Sequence, residues 1–330
     1  MDKDQALRIH EQAIVIDGLN ASYFFNEAVL RRLRQGGVTA FNGTVAAWHS
    51  LPETMNLIAD YYGLFEERPD WIMQVRSVED IHKAKVQGCA GMILGFQDTN
   101  AINGNLRMLA VYHALGVRII QLTYNDENAV GCGCMAAEDK GLTRFGREVV
   151  AEMNCLGMLV DLSHCGHKTT MDAIEASKGP VAFTHANPLA LAKSPRNKLD
   201  EAFKALAAKG GVAGVVRLPA WLTPCGQASV EDYLNAIDYL VELTGVDHVG
   251  LGTDFMEEIP AEIMMASLKG ISAETLQKYY SSTLVEGFES PAEFPRVTEG
   301  LLSRGYSPEE VKKIMGRNWL RLFEKVWSGF

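Results

Sequence analysis

The chain has 330 residues, of which 47% are hydrophobic and 22% are charged, and its 31 Lys and Arg against 41 Asp and Glu give a net charge of −10. This much apolar material excludes a disordered chain, and an acidic chain whose longest basic runs are Arg31–Arg32 and Lys312–Lys313 argues against nucleic-acid binding. The six cysteines are scattered and include no CxxC pair, which excludes a disulfide scaffold and predicts a reduced, cytoplasmic setting.

The amino-terminal residues do not have the pattern of a protein that is exported. Met1–Gln5 is charged and no apolar stretch follows it, so we expect no secretory signal. No run approaches the ~18 apolar residues that a membrane span requires. We therefore expect a soluble chain that does not use a membrane.

Eight short apolar runs alternate with amphipathic segments along the chain. They are near-continuous rather than strictly alternating, which is typical of parallel strands buried on both faces. Numbered as strands one to eight, they are Ile14–Asp17, Val38–Val45, Met92–Phe96, Val117–Thr123, Met158–Leu162, Val181–Thr184, Val212–Val216 and His248–Gly252.

Helical spacing of apolar residues fills the gaps between these strands. The segments are Glu53–Glu67, Ser77–Gln87, Asn105–Leu115, Leu142–Leu156, His167–Ala176, Glu201–Lys209 and Ser229–Thr244. Gly88, Gly116, Gly157 and Gly245 each follow a helix and precede a strand, as glycines that end a helix do. The pattern predicts an α/β fold, a (β/α)8 barrel forming one domain over residues 1–330. A doubly wound open sheet is the alternative, but no GxGxxG follows strand one. Residues 256–300 are predicted to form an insertion after strand eight, and Pro308–Leu322 a closing helix.

Polar residues cluster at the strand ends, where barrels of this type place their active sites. His164, His185 and Asp254 follow strands five, six and eight. Two imidazoles and a carboxylate suit Zn²⁺, which with an open coordination position can activate water. The alternative is that each histidine is an isolated, hydrogen-bonded core residue.

The cysteines near these strand ends allow two weaker interpretations. Cys132 and Cys134 flank one glycine, as a minimal metal pair would, but a glycine-rich loop with incidental thiols is favoured. Cys165 directly follows His164, so a nucleophile–base pair is conceivable, although adjacent side chains at a strand end tend to diverge.

The strand ends together resemble those of the membrane (renal) dipeptidase family, a branch of the metal-dependent amidohydrolase barrels. The matching segments are Val15–Gly18, Gln121–Asn125, Gly141–Val150, Leu159–His164, Pro180–His185, Ser194–Asn197 and Gly250–Phe255. The resemblance implies a binuclear zinc hydrolase of dipeptides that assembles as a homodimer or a higher homo-oligomer.

The resemblance also implies roles for individual residues. His164 and His185 correspond to ligands of the second metal, and Asp254 to the catalytic acid/base. Arg196 corresponds to the guanidinium that binds the substrate carboxylate, a task suited to its bidentate geometry. Tyr124 and Asn125 stand where residues that contact the substrate are expected.

Three ligand positions depart from the family pattern. Leu19 and Ala21 replace the His-x-Asp pair of strand one, and Gln97 replaces the bridging Glu of strand three. The resemblance therefore implies a degenerate centre with at most one zinc ion, held by Gln97, His164 and His185. A change in the ligands themselves should weaken metal binding more than the 10–100-fold that loss of a supporting partner costs.

Three functions remain open at this stage. The first is hydrolysis of a dipeptide or related small amide. The second is binding of a small zwitterion, such as a betaine or an amino-acid derivative, because aromatic rings can hold a quaternary ammonium by cation–π attraction. The rings in question are Tyr23, Phe24, Phe25, Trp48 and Trp221. The third is a non-catalytic homologue retained for assembly.

Overall fold

A computed structural model describes residues 3–267 and 284–329, and all eight predicted strands are present in it. The β-branched and aliphatic runs form strands because both of their faces are buried, on the barrel interior and under helices. Their bounds are Val15–Asn20, Val38–Ala46, Ala90–Phe96, Val117–Gln121, Leu159–Asp161, Ala182–Phe183, Val212–Val215 and Val249–Leu251.

The strands close into a parallel barrel. Each strand pairs with the next in chain order, strand eight pairs with strand one, and all pairings are parallel. Strand three carries an additional edge partner, Ile72–Val75, which the sequence pattern did not predict. A further small parallel pair joins Ala228–Ser229 to Val285–Glu286. The predicted (β/α)8 barrel is therefore confirmed, and the open sheet is not.

Helices surround this barrel, and seven of them match the predicted segments within three residues at either end. Gly88, Gly116, Gly157 and Gly245 all have positive φ, as predicted for residues that end a helix. The α-helices are Lys3–Gln12, Glu27–Gln35, Leu51–Glu67, Val78–Gln87, Met108–Ala114, Arg144–Leu156, His167–Ala176, Asp200–Ala208, Pro219–Leu222, Val230–Thr244, Ala261–Ser267, Phe294–Ser303, Pro308–Lys312 and Asn318–Val326.

The closing helix seals the amino-terminal end of the barrel. Strand residues such as Ile16 and Ile93 pack in one apolar cluster with Trp319 and Phe323. The Trp319 indole lies where a Cβ on Gly250 would come within 2.5 Å of it, and its Nε1 donates to a strand-eight carbonyl 3.0 Å away. The site at the opposite end of the barrel therefore lies above a closely packed apolar layer.

Two boundaries differ from the sequence-based prediction. The insertion predicted over 256–300 ends earlier, because Phe294–Ser303 packs against Lys3–Gln12 in the outer helical layer. Its residues 268–283 lie outside the described part of the chain. The predicted helix Pro308–Leu322 is interrupted by a wider turn at Lys313–Arg317 and continues to Val326. Within the two described ranges, no helix is both long and apolar enough to cross a membrane.

Candidate active site

The histidines of strands five and six meet at the carboxyl end of the barrel. The Nε2 atoms of His164 and His185 lie 3.0 Å apart, and both side chains are buried. Burial, reinforced by the nearby Arg196 charge, lowers the pKa of both rings well below the usual value. Both imidazoles are therefore neutral and each has one protonated nitrogen.

Hydrogen bonds on the far side of each ring determine which nitrogen that is. The Thr184 hydroxyl donates to Asp161 at 2.6 Å, so its oxygen is left to accept from His185 Nδ1 at 2.8 Å. Asn125 Oδ1 lies 2.8 Å from His164 Nδ1 and, as an acceptor, places the proton there. The two Nε2 lone pairs therefore face each other, an arrangement that a cation between them would stabilise. Support of each ring through its other nitrogen is also typical of metal-binding histidines.

Asp254 occupies the end of strand eight in a left-handed backbone conformation, with φ at 55°. Its N–H donates to the Leu19 carbonyl at 2.9 Å, and the neighbouring Thr253 is held by Asp17 through bonds of 2.8 and 2.6 Å. Burial raises the pKa of Asp254 to about 6, against the opposing charges of Arg196 and Arg217. A carboxyl with this pKa exchanges protons readily near neutral pH.

Arg196 lies beside the histidine pair. Its guanidinium donates to the Ser163 carbonyl at 2.5 Å and to the His185 carbonyl at 3.5 Å, and lies 4.7 Å from the Trp221 ring centroid. Only 1% of the residue is exposed. The ring and the two carbonyls fix the guanidinium at the strand ends, where it can face an anion.

Tyr124 and Asn125 both contact His164. The Tyr124 ring stacks on the imidazole with centroids 4.2 Å apart, and its N–H donates to Asp98 at 2.7 Å. Asn125 uses its carbonyl oxygen on His164, so its first role in this structure is to orient that ring. Sequence reasoning did not assign a role to Asp98, although it directly follows Gln97 at the end of strand three.

The three positions at which the resemblance implies altered ligands lie on the side of the mouth formed by strands one to three. Leu19 is buried, and Ala21 donates its N–H to the Phe255 carbonyl at 2.8 Å. The Gln97 amide donates to the Thr44 hydroxyl at 2.8 Å. Neither aliphatic side chain can bind a metal, and Gln97 offers only a neutral oxygen.

A two-metal centre does not fit these residues, whereas a single ion has a partial fit. Two nitrogens on one tetrahedral zinc lie about 3.3 Å apart, close to the 3.0 Å between the two Nε2 atoms. Over residues 3–267 and 284–329, no three His, Cys, Asp or Glu side chains come together in a way that could hold a metal. The interpretation of His164, His185 and Asp254 as one ligand set stays a prediction.

The aromatic residues proposed for a cation cage do not share one pocket. Phe24 packs on Phe41 in the core with centroids 4.5 Å apart, and Trp221 packs on Arg196. Tyr23 and Phe25 do line a cavity, next to strands one and two.

The cysteines prove to be structural neighbours of the site rather than a metal pair. The N–H of Cys134 donates to the His164 carbonyl at 2.7 Å, and the carbonyl of Cys132 accepts from the Gly166 N–H at 2.8 Å. Both partners lie in the loop after strand five. Burial raises the pKa of Cys165 to about 11, which disfavours the thiolate that a nucleophile needs.

Arg217, at the end of strand seven, is a charged residue that sequence reasoning missed. It is buried, lies 4.1 Å from the Phe255 ring centroid, and its charge acts on Asp254 and Glu257. The available signal was its position, because it directly follows the strand-seven run Val212–Val216.

Known proteins match this chain in sequence and in fold. Dipeptidase tcpJ of Claviceps purpurea is 29% identical over 281 residues, 84% of this chain and 60% of its own length. An uncharacterized dipeptidase of Schizosaccharomyces pombe is 30% identical over 246 residues, 72% of this chain and 54% of its own. A crystal structure of an amidohydrolase from Pseudomonas aeruginosa has a TM-score of 0.91 and 38% identity, covering 98% of this chain and 99% of that one.

Fold and site together define a (β/α)8 barrel of the metallopeptidase class. The family model described as membrane dipeptidase, peptidase family M19, matches residues 3–285 and 277–328. The chain belongs to the membrane dipeptidase family. It spans less than two thirds of the length of the two dipeptidases named above.

Proposed function

We propose that this chain hydrolyses a dipeptide or a related small amide, with at most one metal ion. The proposal rests on one observation: the histidine pair, Arg196 and Asp254 lie together at one barrel mouth, and Arg196 acts electrostatically on all three. Family membership supports a small peptide substrate.

The chain's own residues divide the reaction between them. Arg196 binds the carboxylate of the substrate through its guanidinium N–H groups. Asp254, mostly ionised at neutral pH, accepts a proton from the attacking water and returns it to the leaving amine. Asn125 and the Asp161–Thr184 pair hold the two imidazoles with their Nε2 atoms toward the mouth. A zinc ion held by His164, His185 and the Gln97 oxygen would supply positive charge to polarise the amide carbonyl.

The experiment is a dipeptide turnover assay on the full chain. We expect Asp254→Asn to lower turnover by roughly 10²–10⁴-fold, the usual contribution of a general acid/base. The matched control is Asp70→Asn, an exposed exchange of the same kind, which should leave turnover unchanged. Absence of turnover with any dipeptide, with and without added zinc, would overturn the proposal.

The zwitterion-binding alternative has weaker support, because Phe24 packs on Phe41 and Trp221 packs on Arg196. A thermal-shift panel of dipeptides and methylated amino acids separates the two functions. Stabilisation by methylated amino acids alone would favour the alternative.

We also propose a reduced, cytoplasmic setting and a homo-oligomer. All six cysteines are free in the structure, which supports the first part. Light scattering on the purified chain tests the second, and a mass equal to one chain would contradict it.

A further inference from the structure

A cavity of about 380 Å³ lies beside the altered side of the barrel mouth. Its wall includes Ala21 at the end of strand one and Thr44 at the end of strand two. Ala21 stands at one of the lost ligand positions, and Thr44 holds the amide of Gln97, at another. The cavity therefore adjoins the space from which the acidic ligands are missing.

Three aromatic rings form one continuous wall of this cavity. Tyr23 and Phe25 have ring centroids 5.3 Å apart, and Phe25 and Tyr61 have theirs 5.1 Å apart. These separations are typical of attractive aromatic pairs, so the rings support one another. Ile259 and Ile263 add aliphatic surface. An occupant would therefore meet mainly apolar and aromatic atoms.

Polar side chains also line this cavity, namely Ser22, Thr44, His49, Glu53, Asn56 and Tyr61. Two of them, His49 and Tyr61, are the donors that the inference uses. His49 Nδ1 accepts the Ala47 N–H at 3.2 Å, which leaves the proton of the neutral ring on Nε2. Tyr61 is only 5% exposed, and its hydroxyl is a second possible donor in the cavity wall. An acceptor on a ligand would gain a hydrogen bond from either group.

The cavity lies across the mouth from Arg196. In the closed order of eight strands, strands one and two stand opposite strands five and six, whose ends Arg196 contacts. A dipeptide spans about 7 Å when extended. A substrate anchored by its carboxylate at Arg196 and extended across the mouth would direct its other residue toward the cavity.

We propose that this cavity selects the side chain of the amino-terminal residue of the substrate, and that the side chain it takes is an aromatic ring with a polar end. The inference rests on the proposed function, because it takes Arg196 as the anchor of the carboxylate. The rings of Tyr23, Phe25 and Tyr61 contact the aromatic ring, and the Tyr61 hydroxyl or His49 Nε2 donates to its polar end.

The test measures binding by calorimetry, separately from turnover, with Tyr-Ala, Phe-Ala and Ala-Ala. We expect Tyr-Ala to bind roughly 10–100-fold more tightly than Ala-Ala, from burial of the ring. We expect Phe-Ala to bind roughly 3–10-fold more weakly than Tyr-Ala, from loss of a hydrogen bond. In Tyr61→Phe the affinities for Tyr-Ala and Phe-Ala should become equal within about twofold if this hydroxyl is the donor.

A second variant blocks the cavity. Leu57→Trp places a larger side chain in the wall and should bring Tyr-Ala to the affinity of Ala-Ala, while Ala-Ala itself binds as before. Leu7→Trp, the same exchange at an exposed position on Lys3–Gln12, is the control and should change nothing. Thermal unfolding shows whether each variant is folded.

Four outcomes separate this inference from the proposed function. A preference for Tyr-Ala that Leu57→Trp removes, without turnover, supports the cavity and contradicts hydrolysis. Turnover with equal affinity for the three peptides contradicts the cavity alone, as does a preference that survives Leu57→Trp. Binding of glycine betaine but of no dipeptide contradicts both.

Discussion

At the scale of single residues, Asp254 is one of three described non-glycine residues with a positive φ, together with Asn103 and Glu258. A non-glycine residue at positive φ is strained, and such strain persists where surrounding contacts enforce it, often at active sites. Here the contacts are the Leu19 carbonyl and the Asp17 carboxylate, which holds Thr253. Strand one therefore positions Asp254, the residue that we propose as the acid/base.

The pH dependence of turnover tests the role of Asp254. Its pKa of about 6 predicts that kcat/KM falls as the pH is lowered through about 6, because protonation removes the base. A pH series from 4.5 to 8 measures this limb. A limb centred near 4, the ordinary range of a carboxyl, would contradict the role of burial.

The burial of Asp17 leads to a separate prediction about how the stability of the protein depends on pH. Burial raises its pKa to about 7, from a reference value of 3.8. Because the folded state holds this proton more tightly than the unfolded state, the stability that Asp17 contributes is greatest below about pH 4 and is lost as the pH rises through 7. Asp17→Asn should remove that part of the pH dependence.

Denaturant unfolding of both proteins at pH 4, 5.5 and 7.5 measures the effect. The difference in free energy of unfolding should shift in favour of the variant as the pH rises. A difference that stays constant over this range would show that Asp17 does not titrate there.

Sequence reasoning identified single residues that lie just beyond the end of a predicted strand. His164, His185 and Asp254 were identifiable because each lies within two residues of the end of an apolar run. The tautomers of the two histidines were not, because they depend on Asp161 and Asn125, which belong to other strand ends and meet them only in the closed barrel. Arg217 had the same positional signal and was overlooked.

At the scale of elements, long apolar runs and helix-ending glycines predicted the fold well. The run 212–216 predicted a strand that ends one residue from the observed Val212–Val215. Gly245 predicted the end of the helix Val230–Thr244. The edge strand Ile72–Val75 was missed because it is short and its middle residues are only half-buried. The interruption of the closing helix could not be inferred from helical spacing, since it results from a close approach to strand one.

Gly316 lies at that interruption, and its replacement tests the close approach. A Cβ at this position would lie 2.2 Å from the carbonyl oxygen of Ile14. Gly316→Ala should therefore destabilise the protein by about 1–3 kcal/mol, the usual cost of overpacking. Gly63, within the helix Leu51–Glu67, has no atom within 4 Å of the same added Cβ.

Gly63→Ala is the matched control and should stabilise the protein by about 0.5–1 kcal/mol, because alanine favours a helix interior. Equilibrium denaturation of the two variants gives both values. Equal effects of the two exchanges would show that the backbone of the closing helix does not press against strand one.

At the scale of the whole molecule, contacts between the two ends of the chain tie the barrel together. His10 Nδ1 lies 2.7 Å from the Thr298 hydroxyl, and Trp319 packs with residues of several strands. We therefore predict that residues 1–330 unfold as one domain. Far-ultraviolet circular dichroism and tryptophan fluorescence should give coincident transitions, and two separate transitions would contradict this.

The metal content of the folded chain tests the proposed single-metal site. We propose that Leu19, Ala21 and Gln97 stand where ligands of one metal are missing, while His164 and His185 offer two nitrogens for another. The most direct test is the zinc-to-protein ratio of a sample that turns over a dipeptide, measured by plasma mass spectrometry after equilibration with zinc. The account predicts at most one zinc ion per chain. Two tightly bound ions per chain would contradict it.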